Sequence, residues 1–167
     1  MANTASFTVP GITENSGHQV GELLQMRLHA MNDLQLVLKH AHWNVVGPSF
    51  IGVHEMIDPQ VSLVRTYADD IAERMATLGV APNGLAGDLT EQRTWEEYPL
   101  GRAKALDHLR ALNEVYTRII EDHRVAIAKV ADIDPVTEDL LISQTAELEK
   151  FQWFVRAHLE DGEGNLV

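Results

Sequence analysis

Residues 53–78 of this sequence read VHEMIDPQVSLVRTYADDIAERMATL, a stretch in which apolar residues return every three or four positions. That spacing is typical of an amphipathic helix. The apolar positions are Val53, Ile57, Val61, Val64, Ala68, Ile71, Met75 and Leu78. Pro59 lies inside the stretch and predicts a bend, because proline removes one backbone hydrogen bond. We therefore predict a long helix over residues 49–78 that ends at Gly79.

Three further segments show the same periodicity and predict helices over residues 18–45, 102–130 and 135–159. Asp134 provides an N-cap for the last of them, and Pro135 occupies its first helical position. Between the second and third helices, residues 79–101 form a connection long enough to carry structure of its own. Within this connection we predict a short helix over residues 88–93.

Four amphipathic helices with one long crossover in the middle match an all-α, ferritin-like four-helix bundle. The predicted short helix lies in the crossover between helices 2 and 3. We assign residues 18–160 to the bundle, residues 1–17 to an N-terminal tail and residues 161–167 to a short acidic C-terminal tail.

Composition and charge narrow the functional classes. The chain has 167 residues, no cysteine and a formal net charge of -12, so disulfides and thiolate metal sites are excluded. No apolar run approaches the ~20 residues that span a bilayer. Residues 1–17 lack the layout of a signal peptide, and we expect a cytoplasmic protein. Lysine and arginine are absent before Arg27 and after Arg156, which argues against binding to phosphate backbones.

Histidine and carboxylate side chains recur at four-residue spacing along the predicted second helix. His54 and Asp58 share one face, and Asp69 and Glu73 repeat the spacing further along. Imidazole and carboxylate together suit iron, manganese or zinc. However, His54 and Asp69 lie ~22 Å apart on a helix that rises about 1.5 Å per residue. One chain therefore cannot bring both pairs to the same metal ion.

Two antiparallel copies of this helix would bring the pairs together. The sequence numbers of the outer residues, 54 and 73, have the same sum as those of the inner residues, 58 and 69. About a two-fold axis, His54 would lie level with Glu73 of the partner subunit, and Asp58 level with Asp69 of the partner subunit. His42, from the first helix, would complete the histidine side of the site.

Simpler interpretations of these residues stay open from spacing alone. Carboxylates four positions apart usually form a solvated helix face, and a histidine in an apolar stripe, such as His42, is often a core residue. The same donors would also serve a metal-dependent hydrolase that activates water for amide cleavage, although the sequence contains no separate nucleophile motif. A nucleoid-compacting protein is a third class, which the absence of basic tails disfavours.

Longer motifs resemble a known family. Residues 39–50 (KHAHWNVVGPSF), 54–58 (HEMID), 69–74 (DDIAER) and 149–154 (EKFQWF) resemble the Dps proteins, or miniferritins, named as DNA-binding proteins from starved cells. The resemblance covers residues 18–160 and is greatest to the actinobacterial branch. It implies a hollow homo-dodecamer built from two-fold dimers. It also implies oxidation of iron(II), with hydrogen peroxide preferred to oxygen, and storage of the ferric product, which protects the cell from oxidative damage.

The resemblance implies a ligand set as well. A two-iron ferroxidase centre would take His42, His54 and Asp58 from one chain and Asp69 and Glu73 from the other. Because histidine binds the divalent ion in its neutral form, binding should weaken as pH falls.

Other residues receive accessory roles through the same resemblance. Trp43, beside His42, would accept a stray oxidising equivalent, with a packing tryptophan as the alternative. Glu55 would nucleate mineral, and Glu121 and Asp122 would line an acidic three-fold pore. For these three carboxylates the alternative is a solvated helix face. Many members of the family bind DNA through lysine-rich tails, which this chain lacks, so we predict weak or absent DNA binding.

Overall fold

The structure, a computed structural model, describes residues 6–166. Residues 1–5 and residue 167, which belong to the predicted tails, lie outside the described residues. The elements in chain order are α1 (Glu14–Asn44), β1 (Val45–Val46), α2 (Phe50–Thr77), α3 (Ala86–Gln92), β2 (Ala103–Lys104), α4 (Ala105–Val130) and α5 (Pro135–Ala157). The predicted all-α bundle is confirmed, with the short helix α3 in the crossover. None of the helices in residues 6–166 is long and apolar enough to cross a membrane.

The helix starts follow from local capping. The Thr13 side chain accepts a hydrogen bond from the Ser16 backbone N–H, so α1 begins earlier than the periodicity predicted. The Asp134 side chain accepts a hydrogen bond from the Val136 backbone N–H and confirms the predicted N-cap of α5. Helix α2 continues through Pro59 as a single element.

The apolar stripes of the four long helices form one core. Helix α1 packs along α2 and α4 packs along α5, while contacts between α1 and α4 and between α2 and α5 join the two pairs. Side chains that the bundle buries almost completely include Leu24, Met31, Leu34, Leu38, Ile57, Ile71, Met75, Leu109, Leu112, Tyr116 and Leu141. The alternating three- and four-residue spacing therefore predicted the buried faces correctly.

A short parallel pairing joins the α1–α2 turn to the end of the crossover. Val45 pairs with Ala103, and Val46 pairs with Lys104. The sequence analysis assigned Val45 to the first helix and Ala103 and Lys104 to the third, and those boundaries were wrong. Gly47 then adopts a φ of +102°, a conformation open chiefly to glycine, which lets the chain reverse into α2. By joining the α1–α2 turn to the crossover, the pairing holds the end of α1 beside the start of α2.

Candidate metal centre

His42 near the end of α1 and His54 near the start of α2 lie face to face across this turn. Their rings are stacked, with centroids 3.6 Å apart and planes 20° apart. Nδ1 of His42 lies 2.9 Å from the carbonyl oxygen of His54, and Nδ1 of His54 lies 2.9 Å from the carbonyl oxygen of His42. A carbonyl oxygen can only accept, so each Nδ1 carries the proton and donates it.

These reciprocal hydrogen bonds select one tautomer of each ring. A neutral imidazole that is protonated on Nδ1 keeps a lone pair on Nε2, which is the usual arrangement of a histidine that binds a metal ion. His42 is 6% exposed, as a core histidine would be. Yet no hydrogen bond to its Nε2 is found within residues 6–166. The geometry therefore favours a ligand over a histidine whose ring is fully satisfied by the core.

Asp58 lies one helical turn after His54 and provides a carboxylate beside the two rings. Its Oδ1 lies 3.4 Å from Nδ1 of His42 and accepts a hydrogen bond from Nζ of Lys39. That hydrogen bond is the main reason why the pKa of Asp58 lies below its ordinary value, and the nearby histidines lower it further. The carboxylate is therefore anionic at neutral pH and is neutralised by an ammonium group that a metal ion would have to displace.

Asp69 and Glu73 lie on an exposed face in the second half of α2. Neither carboxylate makes an ion pair within the described part of the chain. The continuous helix keeps Asp69 ~22 Å along the axis from His54. Across residues 6–166, no three histidine, aspartate or glutamate side chains form a group that would hold a metal ion. A single chain thus places His42, His54 and Asp58 beside one another without completing a metal site, and it keeps the acidic pair apart from them.

The residues with predicted accessory roles are spread over the surface. Trp43 is 70% exposed, so it does not pack into the core of its own chain. Glu55 and Glu121 are exposed. Asp122 is engaged, because its Oδ2 accepts a hydrogen bond at 3.3 Å from the largely buried Arg27. Mineral nucleation, a pore and electron transfer at these residues stay predictions.

Sequence reasoning missed one partner of the site and one further contact of a histidine. Lys39 was noted only as part of the 39–50 motif, and nothing in the spacing showed that it would reach Asp58. His108 received no role in the sequence analysis, but it pairs with Tyr98, whose Oη lies 2.8 Å from its Nδ1. Each contact joins residues of two different segments of the chain, so no local period predicts it.

Comparison with known proteins gives consistent results along nearly the whole chain. The family model described as a ferritin-like domain matches residues 21–164. The fine tangled pili major subunit of Haemophilus ducreyi is 59% identical over 166 residues, which are 99% of this chain and 88% of that protein. The DNA protection during starvation protein of Mycolicibacterium smegmatis is 57% identical over 162 residues, 97% of this chain and 88% of that protein. The solved structure of DpsA14 from Streptomyces coelicolor is similar with a TM-score of 0.97 at 54% identity, covering 100% of this chain and 99% of that one.

Proposed function

Because this chain belongs to the Dps family of ferritin-like proteins, we propose that it is a ferroxidase that oxidises iron(II) and stores the ferric product. The observation that carries the proposal is the stacked pair of His42 and His54, each held in the metal-binding tautomer by the carbonyl of the other. Asp58 adds a carboxylate beside the His42 ring, 3.4 Å from its Nδ1. Imidazole nitrogen with carboxylate oxygen is a donor set that suits iron as a substrate.

The second half of each site comes from the partner subunit. Asp69 and Glu73 are exposed, are not paired with a cation in the described residues, and lie too far along α2 to reach the histidines of their own chain. Antiparallel packing of two α2 helices about a two-fold axis would place them opposite the histidine half. The outer face of α2 also exposes Ile51 and Leu63, apolar side chains that such packing would cover.

The histidine and carboxylate ligands have different roles in iron oxidation. The neutral histidines bind iron(II), and the carboxylates offset the greater charge of the ferric product. Two iron(II) ions can each give one electron to one hydrogen peroxide molecule, so that the O–O bond breaks and, with two protons, two water molecules form. No hydroxyl radical is released on that route. We extend the proposal to peroxide as the preferred oxidant, to a hollow dodecamer and to the cytoplasm, which the family resemblance supports.

The proposal is tested by stopped-flow oxidation of iron(II) by purified protein, with peroxide or with oxygen. His54→Ala should lower the initial rate by at least about tenfold, since loss of supporting groups around metal sites already costs that much. Glu96→Gln, which removes an exposed carboxylate outside the site, is the matched control and should stay near the wild-type rate. Equal rates for the wild type and His54→Ala would contradict the proposed site. Faster oxidation by oxygen would remove the peroxide preference, and amide cleavage without iron oxidation would favour the hydrolase.

A further inference from the structure

A tyrosine and a histidine form a hydrogen-bonded pair close to the candidate metal centre. Tyr98 is at the end of the crossover, and His108, near the start of α4, is fully buried. Tyr98 Oη lies 2.8 Å from Nδ1 of His108, and the two ring planes are 11° apart. On its other side, Tyr98 contacts the ring of His40 in an edge-on arrangement, with centroids 5.9 Å apart.

One tautomer of His108 gives this hydrogen bond the direction that proton transfer from Tyr98 requires. When the neutral His108 ring carries its proton on Nε2, its Nδ1 accepts a hydrogen bond from the Tyr98 hydroxyl, whose other acceptor within reach, the His108 carbonyl oxygen, is 3.4 Å away. Burial raises the pKa of Tyr98 and lowers the pKa of His108. The phenol therefore keeps its proton beside a neutral base. The carbonyl groups of Asn44 and Gly101 act on the His108 ring in the opposite sense and favour its protonated form.

Tyr98 shares a surface depression with a residue that adjoins the candidate ligand His42. Trp43, which follows the candidate ligand His42, lines the same surface depression as Tyr98 and His40. The depression thus holds both an indole that could be oxidised and a phenol beside a ring nitrogen that could take its proton.

We propose that Tyr98 and His108 form a redox-active pair that takes up one-electron oxidising equivalents escaping from iron–peroxide chemistry at the metal centre. The source of these equivalents rests on the proposed ferroxidase function. When only one iron(II) ion reduces peroxide, the O–O bond breaks to give hydroxide and a hydroxyl radical. That radical takes one electron from the Tyr98 phenol, directly or through Trp43, and becomes a second hydroxide ion. The Tyr98 O–H bond breaks as its proton moves to Nδ1 of His108, which leaves a neutral tyrosyl radical beside an imidazolium. Iron(II) can then return one electron as the proton moves back, which restores the phenol and yields iron(III).

A second tyrosine provides the matched control. Tyr116 is fully buried and donates a hydrogen bond of 2.6 Å to Oε1 of Gln60. Its hydrogen bond is as short as that of Tyr98, but an amide oxygen is a poor base and cannot hold the released proton. Hydrogen bonding alone therefore does not distinguish the two tyrosines, whereas the basicity of the acceptor does.

Electron paramagnetic resonance tests the pair in the assembled protein. Iron(II)-loaded protein is mixed with peroxide and frozen, and iron oxidation is followed in parallel. A tyrosyl signal that is lost in Tyr98→Phe and kept in Tyr116→Phe would support the proposal. High-field spectra should show that the Tyr98 radical accepts a hydrogen bond from a charged donor, the His108 imidazolium. This measurement probes the role of His108 without a substitution in the core. A signal that survives Tyr98→Phe, or that disappears only together with iron oxidation, would overturn it.

A second arm separates this proposal from the proposed function. Metal-free protein is oxidised by a photo-excited ruthenium complex with persulfate, which needs no iron site. If the wild type does not oxidise iron, the ferroxidase proposal fails. The tyrosyl signal under light then decides whether Tyr98 and His108 are redox-active. Loss of that signal in Tyr98→Phe but not in Tyr116→Phe would support the pair, and equal signals in both variants would overturn it.

Discussion

Asp134 ties the half of α2 that carries the acidic pair to the start of α5, and its replacement by alanine should be strongly destabilising. Its Oδ2 accepts a hydrogen bond of 2.6 Å from Nη2 of Arg74, and its Oδ1 caps α5 through the Val136 N–H. Asp134 is 1% exposed, and the Arg74 side chain is 14% exposed. Loss of the cap costs ~1 kcal/mol. Leaving the guanidinium unpaired costs ~3 kcal/mol, the lower end for buried pairs, because Arg74 keeps some contact with solvent.

Together these terms lower the free energy of unfolding by ~4 kcal/mol. At ~2–4 °C per kcal/mol for a chain of this length, the midpoint of thermal unfolding should fall by ~8–16 °C. Circular dichroism at a fixed protomer concentration measures this midpoint. Glu147→Ala removes an exposed ion pair with Lys150 and should cost less than ~0.5 kcal/mol. If Asp134→Ala melts at the same temperature as Glu147→Ala, the reasoning from the buried pair is refuted.

Three further predictions concern charged side chains and the net charge of the chain. Burial raises the pKa of Asp134, but the hydrogen bonds from Arg74 and Thr137 outweigh it and hold that pKa below its ordinary value. The wild type should therefore lose its stability advantage over Asp134→Asn only as pH falls below ~4, and an advantage that is constant with pH would contradict this. Lys39→Met removes the ammonium group that holds Asp58 and should tighten iron(II) binding several-fold in anaerobic calorimetry, where unchanged or weaker binding would count against it. Binding to plasmid DNA in the presence of a chelator should be weak or absent at a net charge of -12, and a salt-sensitive gel shift under those conditions would show otherwise.

The sequence predicts the bundle well because each helix has its own apolar periodicity and, at some of its ends, its own capping residues. Asp134 and Pro135 together specify where α5 begins, and the structure confirms that start. The earlier start of α1 was missed because the cap is a single Thr13 hydroxyl outside the apolar period. The pairing of Val45 with Ala103 could not be predicted, because two-residue strands have no measurable alternation and depend on a contact between distant segments.

The candidate site was predictable only in part, for a similar reason. Spacing along α2 places His54 and Asp58 on one face, but their link to His42 runs through side chain–carbonyl hydrogen bonds across a turn. The contact of Lys39 with Asp58 likewise depends on how α1 and α2 pack. The symmetric numbering of the two pairs predicts a shared site without showing one, because it needs a second chain.

Activity restored by mixing two inactive variants tests the shared site most directly. In a mixed pair of His54→Ala and Glu73→Ala subunits, both substitutions fall in one site and the other site is intact. Random pairing about a two-fold axis should therefore recover roughly a quarter of the wild-type rate of iron(II) oxidation. His54→Ala mixed with Asp58→Ala is the control, since both ligands come from the same chain and every site stays defective. Recovery in the first mixture alone is the expected result. No recovery in particles shown by mass spectrometry to contain both variants, or equal recovery in the control, would contradict a site shared between subunits.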